Sequence, residues 1–149
     1  MGNICRSPMA EGVMLHLIKE AGLESKYEVD SAGIHNFHEG ELADPRMRSH
    51  AQQRGYKLVH RSRPVRTEDF YHFDLVIGMD DRNISDLNRR APSVETSDKI
   101  LRMTEFCTTH DTDHVPDPYY GGASGFEYVI DLLEDACAGL LDKLERGKA

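Results

Sequence analysis

Asp74-Leu75-Val76-Ile77-Gly78-Met79 is the stretch on which the fold class turns. Leu75, Val76 and Ile77 run unbroken instead of alternating with polar residues, the pattern of a strand covered on both faces. Downstream, Asp80 or Asp81 can cap a helix carrying Ile84, Leu87 and Asn88, and residues 99–103 form a weaker extended stretch. Upstream, Thr67-Glu68-Asp69 opens a brief helical turn, and Asp44-Pro45 starts a short helix that ends near Gly55. Residues 27–31 read as a further strand. Near the N-terminus, Ser7-Pro8 puts a hydroxyl at an N-cap and proline at N1. Behind them Ala10, Val13, Met14, Leu17, Ile18 and Ala21 recur at helical spacing until Gly22. At the other end, Ser124-Gly125-Phe126-Glu127 reads as a capping box ahead of Val129, Ile130, Leu133, Cys137, Leu140, Leu141 and Leu144. Helices alternating with such strands imply crossover connections and a parallel α/β sheet. One feature is out of order: the chain opens on a loop that runs straight into a helix, where a parallel domain usually opens on a strand.

The 149 residues predict one domain, residues 1–149. Hydrophobic residues at 39% and charged residues at 30% fit a globular chain rather than a disordered one. No run of 18 apolar residues occurs, and Met1-Gly2-Asn3-Ile4-Cys5-Arg6 has no apolar core of a signal peptide, so neither a membrane span nor secretion is expected. With 18 basic and 26 acidic side chains the net charge is −8, a poor footing for gripping a nucleic acid. Cys5, Cys107 and Cys137 are odd in number and lack CxxC spacing, which predicts a reducing, cytoplasmic setting and no cysteine zinc knot. Residues 46–66 hold seven basic side chains and no acidic one. That run reads either as a solvated face or as a positive flank steering a dianion.

Two segments carry chemistry. Gly2-Asn3-Ile4-Cys5-Arg6-Ser7, ahead of a helix start, has the parts of an anion cradle: converging backbone N–H groups, a helix N-terminus and a guanidinium. Plain turn geometry explains the same residue types. Asp117-Pro118-Tyr119-Tyr120-Gly121-Gly122 is the second. Proline biases Asp117 to an extended conformation, and an aspartate held among aromatic rings is desolvated enough to donate a proton. A simple turn is again the plainer account.

Taken together, the two segments resemble the low-molecular-weight protein tyrosine phosphatases. That family's phosphate loop reads Cys-x-x-x-x-x-Arg-Ser, commonly with Gly-Asn-Ile-Cys-Arg-Ser-Pro inside it, and residues 2–8 reproduce that stretch. Its Asp-Pro-Tyr loop is matched at 117–119. Asp30-Ser31-Ala32-Gly33, His60-Arg61-Ser62-Arg63, Thr67-Glu68-Asp69-Phe70 and Met79-Asp80 fall where the family has similar segments.

The resemblance implies a doubly wound, four-stranded parallel sheet with helices on both faces. It also implies hydrolysis of a phosphotyrosine protein or aryl phosphate through a phosphocysteine, with no metal and no cofactor. Arg6 would bind the phosphoryl oxygens, with Gly2, Asn3, Ile4, Cys5 and Ser7 forming the rest of the loop and Ser7 stabilising the thiolate. Asn3, Ser31 and His60 would support the loop, and Asp117 would protonate the leaving group. Phe37, Tyr119 and Tyr120 would flank the substrate ring. No nucleic acid or membrane partner is expected, and the chain should be a monomer or a weak homo-oligomer.

The same resemblance exposes a departure. The family's nucleophile lies six residues before the arginine, which falls immediately ahead of Met1, and Cys5 matches the second loop cysteine instead. The strand before the loop, central in the family's sheet, would also be missing. Losing roughly five residues, three or four of them buried at about 1.5–3 kcal/mol each, costs on the order of 5–10 kcal/mol. Net stability is only about 5–15 kcal/mol. Residues 1–149 alone are therefore expected to be inactive and unstable, or rescued by a partner strand. Alternatives are a catalytically dead anion-binding or regulatory module, an arginine phosphatase, or an arsenate reductase. Arsenate reduction wants neighbouring cysteines mid-chain, and the arginine enzymes resemble members with threonine where Ile4 stands. A metal site at His110 and His114 is the weaker reading of a polar loop.

Overall fold

Met9 and Val13, and Met14 and Ile18, stand four residues apart, and the helix they build, α1 (Arg6–Glu20), buries them against the core. The computed structural model describes residues 4–35, 37–119 and 121–147. The N-cap of α1 is Cys5 rather than Ser7, and Ser7 and Pro8 lie inside the first turn. Proline is tolerated there because the first N–H groups have no helical partner anyway. The start is set early by the preceding loop: the Ile4 carbonyl accepts the Asp44 N–H at 2.7 Å, and the Cys5 carbonyl accepts the Met9 N–H at 3.2 Å.

Helix α2 (Pro45–Gln53) follows its sequence signals, with the Asp44 carboxylate accepting the Arg46 N–H and Gly55 turning the chain at φ 88°. Helix α3 (Thr67–His72) leads into strand β1 (Val76–Gly78). Helix α4 (Asp81–Arg90), capped by Asp80, and α5 (Val94–Ser97), capped by Ser93, then carry the chain to strand β2 (Ile100–Arg102). The two strands are parallel, with Val76 opposite Ile100 and Gly78 opposite Arg102. Val76 and Ile100 pack with Ile34, Phe70 and Leu87, whereas Leu75, Ile77 and Leu101 pack against the main core with α1 and helix α6 (Ala123–Glu145). Helices thus cover both faces, as the unbroken apolar run implies.

Two expectations need correction. Residues 27–31 join no strand ladder, and among the described residues the sheet has two strands, with isolated bridges at Gly33–Pro64 and Leu42–Arg61. The strands are also only partly buried. The reason lies beside β1: a cavity of about 460 Å³ is lined by residues 26–34 on one side and 73–79 on the other. The second correction is at α6, whose N-cap is Gly122 with no side-chain bond. Glu127, expected in a capping box, pairs instead with Arg54 and His50 of the α2 region.

Phe106 and Gly139 fix how α6 lies on the 3-10 turn Met103–Phe106. A Cβ on Gly139 would stand 1.8 Å from the Phe106 carbonyl oxygen, so only glycine permits this approach. Among the described residues no helix is long and apolar enough to cross a membrane.

Candidate active site

Arg6 begins α1 and its side chain is 4% exposed, which is costly for a guanidinium unless it is paired. It donates from Nη1 to Asp80 Oδ2 at 2.7 Å and to the Val115 carbonyl at 2.8 Å. Asp80 is held in turn by accepting the Asn83 N–H as the cap of α4. Burial pushes the Asp80 carboxyl up, but the Arg6 guanidinium and the Asn83 amide outweigh it and hold it below the usual carboxylate range. Only Pro116 separates Val115 from Asp117, a Cα–Cα reach of at most ~7 Å. The start of α1 and the segment leading to Asp117 therefore meet at Arg6.

The Asp117 loop is tied down by a second arginine. Arg46 forms a two-toothed pair with Asp44, through Nε at 3.1 Å and Nη2 at 2.9 Å, and donates to the Tyr119 carbonyl at 2.8 Å. Its guanidinium lies over the rings of Tyr119 and Phe126 at 5.4 and 4.9 Å. Since the Asp44 N–H also holds the Ile4 carbonyl, Arg46 links the loop before α1 to the loop bearing Asp117. Asp117 itself is exposed, and its carboxylate accepts the Tyr119 N–H at 3.0 Å. The enclosure by rings expected from the sequence is absent among the described residues. The Tyr119 ring meets His38 at 6.2 Å, which brings the loop bearing Phe37 to the same place. Phe37 is 77% exposed and stacks on His35. Gly2, Asn3 and Tyr120 lie outside the described residues.

The three thiols are far from nucleophilic. Burial, followed by the charges of Asp44 and Asp117, pushes Cys5 up to about 12. Burial likewise pushes Cys137 to about 12 and Cys107 to about 11. A thiolate is the reactive form of cysteine, so none of the three is primed to attack at neutral pH.

Residues 1–149 match the family model for low molecular weight phosphotyrosine protein phosphatase. The chain belongs to that family. A low molecular weight protein-tyrosine-phosphatase of Streptomyces coelicolor is 42% identical over 142 residues, spanning 94% of this chain and 87% of its own. A crystal structure of a protein tyrosine phosphatase from Entamoeba histolytica matches with TM-score 0.97 and 51% identity, over 100% of this chain and 95% of that one. A structure of an arginine phosphatase from Drosophila matches at TM-score 0.90 and 30% identity, over 97% and 94%.

Within this phosphatase family frame, the residues carried over from the motifs fall in two groups. Ile4, Cys5, Arg6 and Ser7 lie at the start of α1, beside the Asp44–Arg46–Tyr119 linkage and two residues' reach from Asp117. Ser31 and His60 gather on Glu11 of α1, and Ser31 and Glu11 line the same cavity as Ile4, Cys5, Arg6 and Ser7. The Ser31 hydroxyl donates to Glu11 Oε1 at 2.7 Å, and His60 Nδ1 stands 3.2 Å from both Glu11 and Asp30. Burial raises the Glu11 carboxyl above its ordinary value, against the Ser31 hydroxyl and His60.

Glu11 carries no signal in the sequence, Arg46 stands there only within the basic run, and Asp44 and Asp80 stand there as helix caps, Asp80 also in a matching segment. Their bonds to the site cross long stretches of chain, and no local pattern announces them. The basic run is also resolved. Arg46 is spent on Asp44, Arg54 on Glu127, Asp131 and Glu134, and Arg63 on Asp30 and Asp69. Arg48 and Arg61 donate to the carbonyls of Ala43 and Gly40. The run mainly ties loops and helices together instead of forming a steering flank. His110 and His114 pair with different carboxylates, Asp135 and Asp113, so the two do not form a joint metal site.

Proposed function

We propose that this chain supplies the phosphate-binding arginine and the general acid of a phosphotyrosine phosphatase, Arg6 and Asp117, for a cysteine that precedes residue 1. The observation that carries this is the bond from Arg6 to the Val115 carbonyl, which draws the Asp-Pro-Tyr loop to the start of α1. In the proposed reaction a thiolate six residues before Arg6 attacks phosphorus and the bond to the aryl oxygen breaks. Arg6 and the N–H groups of the loop offset charge on the equatorial oxygens. Asp117 gives its proton to the departing phenolate. Water then attacks the phosphocysteine, Asp117 takes the water's proton, and inorganic phosphate and thiolate are released. Asp117 is exposed here, so the aryl ring of the substrate, lying against Tyr119 and Phe37, would itself supply the cover that favours the protonated acid.

The same reading assigns the cavity beside β1 to the central strand of a four-stranded sheet. Residues 26–34 and 73–79 line it, and among the described residues none of residues 27–30 makes a backbone–backbone hydrogen bond. A strand there would satisfy both edges at once. The three free thiols support a reducing, cytoplasmic setting.

Ile4 favours an aryl phosphate over phosphoarginine by its bulk and apolar surface. The resemblance to an arginine phosphatase keeps the second substrate as the rival, and both should be assayed. Inorganic phosphate tests the anion site without needing the nucleophile: it should raise the Tm of residues 1–149 and fail to do so in Arg6→Lys, which cannot hold two oxygens at once. Equal stabilisation of both proteins would remove Arg6 from the site.

A further inference from the structure

We propose that the surface between the start of α3 and the end of α4 docks a partner protein, taking an acidic peptide segment with apolar residues among its carboxylates. Phe70 of α3 and Leu87 of α4 share one small core with Val65 and Ala91, which sets those two helix ends side by side. Between them lies a second cavity of about 460 Å³, lined by Val65, Arg66, Thr67, Glu68, Phe70 and Arg90. Arg66 and Arg90 are both exposed. Among the described residues neither guanidinium forms an ion pair or donates a hydrogen bond.

Such freedom is uncommon in this chain. Its net charge is −8, and carboxylates take Arg6, Arg46, Arg54, Arg63, Arg89 and Arg102. The Arg66 charge reaches Asp69, yet both oxygens of that carboxylate are bonded by Arg63. Glu68 also lines the cavity but forms no ion pair among the described residues. Two guanidiniums outnumber it, and each can hold a carboxylate through two parallel bonds. Apolar side chains adjoin this charge. Val65 and Phe70 wall the cavity, α5 packs beside α3, and the two helices expose Tyr71 at 62% and Val94 at 75%. Arginine and tyrosine are the residue types that carry most binding energy at protein interfaces. A bare anion would engage only the guanidiniums, whereas an acidic segment with apolar residues matches both halves of the surface. Helix α4 is 10 residues long, so Arg90 stands about 14 Å from Asp81 and from the neighbourhood of Arg6. Docking there needs neither Arg6 nor Asp117.

The test is fluorescence polarisation of residues 1–149 with two labelled peptides of equal length, one built of glutamate, leucine and phenylalanine, the other with lysine in place of glutamate. The acidic peptide should bind saturably below millimolar concentration, and the basic one should not. Arg66→Glu and Arg90→Glu should each weaken binding about tenfold or more, and Tyr71→Ser/Val94→Ser severalfold. Arg82→Glu, an equal change of charge at the opposite end of α4, should leave binding unchanged, as should Arg6→Lys. If Arg66→Glu does not fold by circular dichroism, Arg90→Glu decides alone. No saturable binding, equal binding of the basic peptide, or an unchanged affinity in Arg90→Glu would each overturn the proposal. So would an equal loss in Arg82→Glu or Arg6→Lys, which would put the peptide elsewhere, or self-association abolished by Arg90→Glu, which would give the face to a second copy of this chain.

Discussion

Arg6 and Asp80 stand 74 residues apart in sequence and 2.7 Å apart in space, joined as a charge pair in which the arginine is almost wholly buried. Removing the carboxylate leaves the guanidinium with the Val115 carbonyl and no counter-charge, and α4 loses its cap. Asp80→Ala should therefore lower unfolding free energy by about 3 kcal/mol and weaken phosphate binding. Urea unfolding with and without phosphate checks it. A loss below about 1 kcal/mol would mean the pair is worth no more than a surface one.

Arg46 should matter to turnover more than to binding. It holds Asp44, and through it the Ile4 carbonyl, to the Tyr119 carbonyl beside Asp117. In a chain extended by the proposed upstream cysteine, Arg46→Ala should lower kcat for an aryl phosphate about tenfold or more through misplacement of the acid, with little change in the inhibition constant of phosphate. A parallel fall in both would make Arg46 a phosphate ligand instead.

Acid should loosen the loop at 108–110. Burial pushes the Asp135 carboxyl up, but the N–H groups of Thr108, Thr109 and His110 and the His110 ring outweigh it and hold it well below the carboxylate range. Its folded pKa lies below its unfolded value of about 3.9, so its contribution is fully present above that pH. The contribution fades as pH falls through and below 4. Asp135→Ala should cost about 2–3 kcal/mol at pH 7, and the gap between the two proteins should narrow below pH 4. A gap that is constant from pH 7 to 3 would contradict this.

Gly139→Ala should be severe for so small a change. The new methyl would meet the Phe106 carbonyl carbon and oxygen, backbone atoms that cannot rotate away. A loss of at least ~2 kcal/mol is expected by thermal unfolding. Gly22→Ala, at a position with open space but φ 70°, should cost only about 1 kcal/mol.

Much of this architecture is legible in the sequence because it is local. Asp44-Pro45 and Gly55 mark both ends of α2, and Leu75-Val76-Ile77 places β1 between two helical layers. The errors are also local signals, overruled by distant partners. Ser7 is an acceptable cap, yet the loop's bond to Asp44 starts the helix at Arg6. Glu127 fits a capping box, yet Arg54 and His50 claim its carboxylate. Residues 27–31 have a strand's composition, but a strand needs a neighbour, and the cavity lies where one would be. At the proposed site, Arg6 and Asp117 are named from motif chemistry, whereas the residues bonded to their segments, Asp80 and Arg46, depend on contacts over more than 70 residues. No periodicity encodes those.

The central claim is that residues 1–149 hold the phosphate-gripping and proton-donating groups while the attacking thiolate comes from before residue 1. Turnover of p-nitrophenyl phosphate tests it most directly, comparing this chain with one that carries an upstream apolar strand ending in cysteine six residues before Arg6. The account predicts no hydrolysis above background from residues 1–149, robust hydrolysis from the extended chain, and its loss in Arg6→Lys. Robust hydrolysis by residues 1–149 alone would contradict it.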